Sequence, residues 1–136
     1  MWFYEEKEID HELSIKYYGF IYCIEHMPSG KKYIGRKYFT KAATKQVKGK
    51  RKKIRKDSDW KDYWGSSARL VEDMARLGKD KFTREIIHLC KSRGETNYME
   101  AYYQFKEGVL LKENNYNGII QIKLGKGSVK DLIINE

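Results

Sequence analysis

Gly19-Phe20-Ile21-Tyr22-Cys23-Ile24-Glu25-His26, then Met27-Pro28-Ser29-Gly30, then Lys31-Lys32-Tyr33-Ile34-Gly35 is the stretch whose reading decides the fold. Tyr17 to Glu25 is almost continuously apolar and aromatic, the pattern of a strand covered on both faces. Pro28 at a second turn position, with Gly30 two residues on, closes a hairpin into a second strand, Lys32–Phe39. Side chains alternate along strands, so the turn length decides which of them share a face. A four-residue turn at 27–30 sets His26 opposite Lys31, Ile24 opposite Tyr33 and Tyr22 opposite Gly35. Tyr22, Tyr33, Gly35 and Lys37 then point to one side, and Ile34 and Arg36 to the other. A three- or five-residue turn separates the tyrosines. The turn residues allow the even loop without compelling it.

Working outward from the hairpin, residues 40–58 read as a long Lys/Arg-rich loop, longer than a structural connection needs. Ser66 or Ser67 caps a helix running to Leu77, with Leu70, Met74 and Leu77 as its buried stripe and Gly78 as its stop. Phe82–Cys90 alternates imperfectly and reads as a third strand. A second helix over Thr96–Lys112 places Tyr98, Tyr102, Phe105 and Val109 on one face. Asn114 to Gly118 is a turn cluster, and Ile119–Leu124 a short edge strand. Upstream, residues 1–16 read as an acidic, partly mobile lead-in. The order is β-β-α-β-α, an α/β domain with a central three-stranded antiparallel sheet flanked by helices. It divides into the extension 1–16, a domain over 17–120 and a tail over 121–136.

The 136 residues suit one domain, and 35% charged residues with a mean hydropathy of −0.79 describe a soluble chain. No apolar run approaches the roughly 18–20 residues of a membrane span. The N-terminus lacks the order of a secretory signal. Cys23 and Cys90 both lie in apolar runs, as buried thiols of a reducing cytoplasm do. Two cysteines and three scattered histidines give no zinc-ligand spacing. The net charge of +9 is concentrated: thirteen lysines and arginines and no carboxylate lie between Lys31 and Lys56. Such a segment points to nucleic acid as partner, and half-buried phenols beside it point to phosphate chemistry. The contacts fall to Lys41, Lys45, Lys48, Lys50, Arg51, Lys52 and Lys53.

These residues resemble the GIY-YIG nuclease superfamily, in its phage homing-endonuclease-like (Seg-like) branch. Phe20-Ile21-Tyr22 stands for the first tripeptide, with Phe in place of Gly, and Tyr33-Ile34-Gly35 is an intact second one. The stretch from Trp60 to Leu70, Gly78 and Phe82–Ile87 look like the helix and third strand of that branch. Tyr98-Met99-Glu100-Ala101 resembles the segment that supplies its single metal-binding glutamate, and Asn115-Tyr116-Asn117 its Asn-rich ending.

The resemblance implies metal-assisted hydrolysis of a DNA phosphodiester, with Mg²⁺, or Mn²⁺ in its stead, held by Glu100. Periodicity alone would put Glu100 on a solvated helix face with Asn97, Gln104 and Glu107. Mg²⁺ suits a lone carboxylate because it keeps several waters and binds substrate phosphate. By the same likeness Tyr33 or Tyr22 orients the attacking water and relays its proton. An unperturbed phenol, with a pKa near ~10, needs a nearby cation to act as a base at neutral pH, and Lys37 is on the face to supply it. The family's phosphate-clamping arginine falls to Arg36 or Arg55, with Arg51 behind them. Tyr63, Ser66 and Ser67 complete the candidate DNA contacts. The expectation is an Mg²⁺-dependent DNA endonuclease of phage or mobile-element type, cytoplasmic, with low sequence specificity or specificity supplied by the basic loop. One site per chain implies nicking by a monomer, and concerted double-strand cleavage a homodimer. The alternatives are a nuclease-derived DNA- or RNA-binding module without turnover and a structural basic protein acting through charge.

Overall fold

The computed structural model describes residues 1–135 as a mixed α/β domain. Its elements are β1 (Phe3–Tyr4), β2 (Lys7–Glu8), α1 (His11–Lys16), β3 (Gly19–His26), β4 (Lys31–Tyr38), β5 (Thr40–Val47), β6 (Lys50–Asp57), α2 (Ala68–Leu77), β7 (Phe82–Cys90) and α3 (Arg93–Lys106), with short 3-10 turns between and after them. The main sheet runs β2-β1-β7-β3-β4; β5 and β6 form a second, two-stranded sheet. The three long strands β7, β3 and β4 are antiparallel, as the sequence predicts, and β1 joins β7 in parallel.

The β3–β4 register is the one a four-residue turn dictates: His26 faces Lys31, Ile24 faces Tyr33 and Tyr22 faces Gly35. Gly30 takes the positive φ, +73°, that the turn needs. The imperfect alternation of β7 has a physical cause. Tyr22 pairs with Ile86 while Ile21 pairs with His88, so Ile87 is an extra residue in a bulge. Beyond the bulge the facing of β7 inverts: Phe82 and Ile86 lie in one core, Ile87 and Cys90 against the other.

Two cores sandwich the sheet. On one face Trp2, Phe20, Tyr22, Ile24, Phe39 and Trp60 pack with Leu70 and Met74 of α2. On the other, Ile21, Ile34, Cys90 and Val109 pack with Met99 and Tyr103 of α3. Ser67 caps α2 by accepting the Leu70 N–H at 3.4 Å, and Gly78 ends it at φ +99°. Cys23 and Cys90 are free thiols. Among the described residues no helix is long and apolar enough to cross a membrane.

Four expectations need correction. The acidic lead-in is folded: β1, β2 and α1 occupy it, and Trp2 is buried beneath it, its indole N–H donating to the Trp60 carbonyl at 2.6 Å. Residues 40–57 are a β-ribbon rather than a loop, closed by Lys48 and Gly49, both at positive φ, the backbone of a twist-matched two-residue turn. Helix α3 begins at Arg93 and ends at Lys106, and its aromatic stripe faces outward, with Tyr98, Tyr102 and Phe105 exposed. Its inward side carries Thr96, Ala101 and Gln104 because small residues permit close approach and an edge carbonyl needs a donor: Gln104 Nε2 bonds the Ile34 oxygen at 3.0 Å. Finally, Ile119–Leu124 forms no strand, and Ile120 packs on the second core instead.

Candidate active cleft

β4 is an edge strand, and its outward backbone groups are met by the Asn-rich segment. The Tyr116 N–H donates to the Lys32 oxygen at 2.8 Å, and Asn117 both accepts from the Ile34 N–H at 3.0 Å and donates to its oxygen at 2.8 Å. Between this segment, α3 and the start of α2 lies a cleft of about 340 Å³. Tyr33, Arg36, Ser66, Ser67, Glu100 and Gln104 line it. Two sheet faces thus contribute to one hollow around the strand edge.

Gly35 makes this possible. A Cβ there would lie 2.5 Å from the Tyr22 hydroxyl and 2.7 Å from its Cζ, so only glycine leaves room for that ring. Tyr22 is almost fully buried, with ring centroids 6.1 Å from Tyr33 and 5.9 Å from Tyr63. Burial first, and then the neighbouring Tyr63 and Tyr33 phenols, hold its hydroxyl well above the ordinary tyrosine value. Tyr33 reaches the cleft, its hydroxyl 3.3 Å from Ser66 Oγ. Its pKa is also raised, chiefly by burial and against the lowering effect of the Ser66 bond. Both phenols are therefore neutral donors at neutral pH.

Lys37 does not favour the phenolate as expected. It shares the tyrosine face, but its ammonium is paired with Asp59 at 2.5 Å and sits 4.1 Å from the Tyr63 ring centre. Arg36 points to the opposite face, as the alternation requires, and there meets Glu100: Nη1 and Oε1 are 2.5 Å apart. The Glu100 side chain is only 14% exposed, and burial raises its pKa against the pull of Arg36. Arg36 also borders a second hollow of about 600 Å³ with Asn97 and Lys123. Arg55 is elsewhere. Its guanidinium bonds Thr40 Oγ1 at 3.1 Å and the Thr40 carbonyl at 2.9 Å, above Tyr18, and ties down the root of the ribbon.

Of the residues singled out from the sequence, Tyr33, Arg36, Ser66, Ser67 and Glu100 share the cleft, with Tyr22 packed behind Tyr33. Tyr63 meets Tyr22 edge-on. Lys41, Lys45, Lys48, Lys50, Arg51, Lys52 and Lys53 stand exposed on the ribbon. Sequence reasoning missed Gln104 as a wall of the cleft, although its spacing of four from Glu100 put both on one helix face.

A divalent cation fits the cleft's donors. One shielded carboxylate opens on a hollow with room for waters and a phosphate oxygen, the combination magnesium accepts. A second group of ligand-type atoms, His88, Cys90 and Glu95, lies within 4.8 Å of one another, which the sequence spacing did not suggest. Its role is structural. Ser92 caps α3 by accepting the Glu95 N–H at 3.0 Å, and Glu95 reaches back to the Lys91 N–H at 2.8 Å and to His88 Nε2 at 3.1 Å. Burial pushes the Cys90 thiol up to about 12, which disfavours the thiolate a metal would need.

Among known families, the profile described as "Putative endonuclease segE, GIY-YIG domain" matches residues 2–120. No curated protein and no solved structure matches the chain.

Proposed function

The chain belongs to this family of GIY-YIG endonuclease domains, and on that premise we propose that it is an Mg²⁺-dependent DNA endonuclease of phage or mobile-element type, with the β4-edge cleft as its active site. A nuclease domain takes DNA as its substrate; the finer assignments are our reading. What supports the reading of this cleft as the active site is the Arg36–Glu100 pair set beside Tyr33 in one hollow.

Glu100 would hold the cation, which supplies charge neutralisation at the scissile phosphate when bound. Arg36 grips a non-bridging phosphate oxygen. A guanidinium does this through two parallel donors, which lysine cannot reproduce. Its place between the two hollows lets it follow a strand running from one to the other. Tyr33, neutral and held by Ser66, accepts a hydrogen bond from the attacking water on its phenol oxygen and so orients it. The water's proton passes by way of a phosphate oxygen to the departing 3′ oxygen. Tyr22 keeps Tyr33 in place from behind, and Gln104 fixes the α3–β4 spacing that brings Glu100 to the edge.

Incubating supercoiled plasmid with the protein in Mg²⁺, and again in chelator, tests the reading. Nicked circles are expected with the metal and none without it. Retardation of the plasmid without nicks at any Mg²⁺ or Mn²⁺ concentration supports the binding module instead. Tyr33→Phe keeps the ring and removes the hydroxyl, and is expected to slow nicking by about 100-fold. A near-native rate would remove Tyr33 from the water-handling role. On the ribbon, Lys50→Ala and Lys52→Ala are each expected to flatten the log–log salt dependence of DNA binding by about one unit. An unaltered slope would exclude that lysine from the phosphate contacts.

A further inference from the structure

The β5–β6 ribbon has a division of labour between its faces that its overall charge does not require. The register places Gln46 opposite Arg51 and Thr44 opposite Lys53 on one face, next to the turn. The other face sets Lys41 against Lys56, Lys45 against Lys52 and Val47 against Lys50, with the half-buried Ala43–Ile54 pair between. Arg55, on the Gln46 side, is occupied at the root by Thr40. The free end of that face therefore carries the two side-chain types that bond base edges bidentately, arginine to guanine and glutamine to adenine.

Like charges directly opposite one another destabilise a strand pair, and a two-stranded ribbon is marginal by itself. Asp57, at the root, is the ribbon's one carboxylate. A polyanion is the partner that relieves this repulsion. Its shape follows from dimensions. Strands about 4.8 Å apart, with their side chains, suit a groove about 12 Å wide and about 8.5 Å deep, whereas a minor groove of about 6 Å excludes them.

We infer that the ribbon lies in the major groove of duplex DNA, with the Gln46–Arg51 pair against base edges and the lysine face level with the groove's rims. This rests on the reading of the protein as a DNA-acting enzyme and adds where it reads its substrate. Lys41 and Lys45 of β5 reach one backbone; Lys50, Lys52 and Lys56 of β6 reach the other. Double-stranded RNA is disfavoured, because its major groove is too deep and narrow for side chains to read.

The test uses the full chain in chelator, so that binding is read without turnover. Dimethyl sulfate methylates guanine N7 in the major groove and adenine N3 in the minor groove. On a mixed-sequence duplex, protection of guanine N7 is expected, and Arg51→Ala with Gln46→Ala should erase it. Lys45→Ala with Lys52→Ala should keep the N7 pattern while affinity falls roughly tenfold at 0.15 M salt, with a slope shallower by about two units. An RNA duplex of the same sequence should bind at least about tenfold more weakly. Protection of adenine N3 instead, no protection at all, an unaffected Lys45/Lys52 variant or equal affinity for RNA would each overturn the inference. Failure of plasmid nicking with the N7 footprint intact would overturn only the nuclease reading.

Discussion

Glu100→Gln is expected to slow cleavage of supercoiled DNA by about 10³-fold or more while leaving its binding in chelator near the native level. The amide keeps the shape of the side chain and can still accept a hydrogen bond from Arg36, so the α3–β4 junction should survive. What it loses is the negative charge, and with it the proposed hold on a divalent cation. Removing one preorganised group that stabilises charge in the reacting state commonly costs about 10²–10³-fold, and a metal anchor belongs at or beyond the upper end. The carboxylate is shielded and already engaged on one oxygen by a guanidinium. That arrangement suits a group meant to exchange one cation for another. Plasmid nicking in Mg²⁺ and fluorescence anisotropy in chelator separate the two quantities. A retained rate would move the metal site away from this helix. Weakened binding in chelator would make Glu100 a structural residue.

Trp2→Ala is the second large effect, on stability, with an expected loss of about 3–5 kcal/mol. The indole is 3% exposed and meets Phe20 and Tyr22 edge-on at 5.0 and 5.3 Å. It also donates a hydrogen bond to Trp60 and forms one side of a stack around Arg84, whose guanidinium lies 4.5 Å from Trp2 and 4.2 Å from Trp64. Arg84 is buried, and among the described residues no carboxylate is bonded to it. Its Nη1 donates to the carbonyls of Lys61 and Tyr63, and desolvation lowers its pKa to about 10. Removing one aromatic wall leaves this cation with half of its π partner. Urea denaturation of the native chain and of Trp2→Ala measures the loss, and Trp2→Phe should recover part of it. A change below about 1 kcal/mol would mean that the first strands unfold independently of the core.

The contrast between these two residues shows what the sequence made legible. The central hairpin could be read because turn length, proline, glycine and apolar pattern agree, and its register held at every pair. The helix α2 was equally plain, having both a serine cap and a glycine stop. Trp2 was hidden because a single aromatic among acidic residues carries no periodicity. The ribbon was hidden because lysine-rich strands have weak β propensity and Lys48-Gly49 lacks the Asn-Gly or Asp-Gly signal of a tight turn. In α3 the periodicity was read correctly and its meaning inverted. Tyr98, Tyr102 and Phe105 do form a stripe, but Gln104 and Glu100 are called inward by an edge carbonyl and by Arg36, partners hundreds of atoms away along the chain. Arg36 and Arg55 were indistinguishable on paper for the same reason, since only the folded edge brings one of them to the carboxylate.

The covering of β4 has a consequence for self-association. A sheet polymerises by lending its unpaired border to a neighbour, and here that border is short of vacancies. Tyr116, Asn117 and Gln104 occupy the outward groups of Lys32 and Ile34, and Ser58 takes the Tyr38 carbonyl. The opposite border, β2, is two residues long, and the ribbon's borders bristle with like charge. Fibril-type stacking thus finds little template on this molecule, even at the crowding its affinity for a polymeric substrate would create.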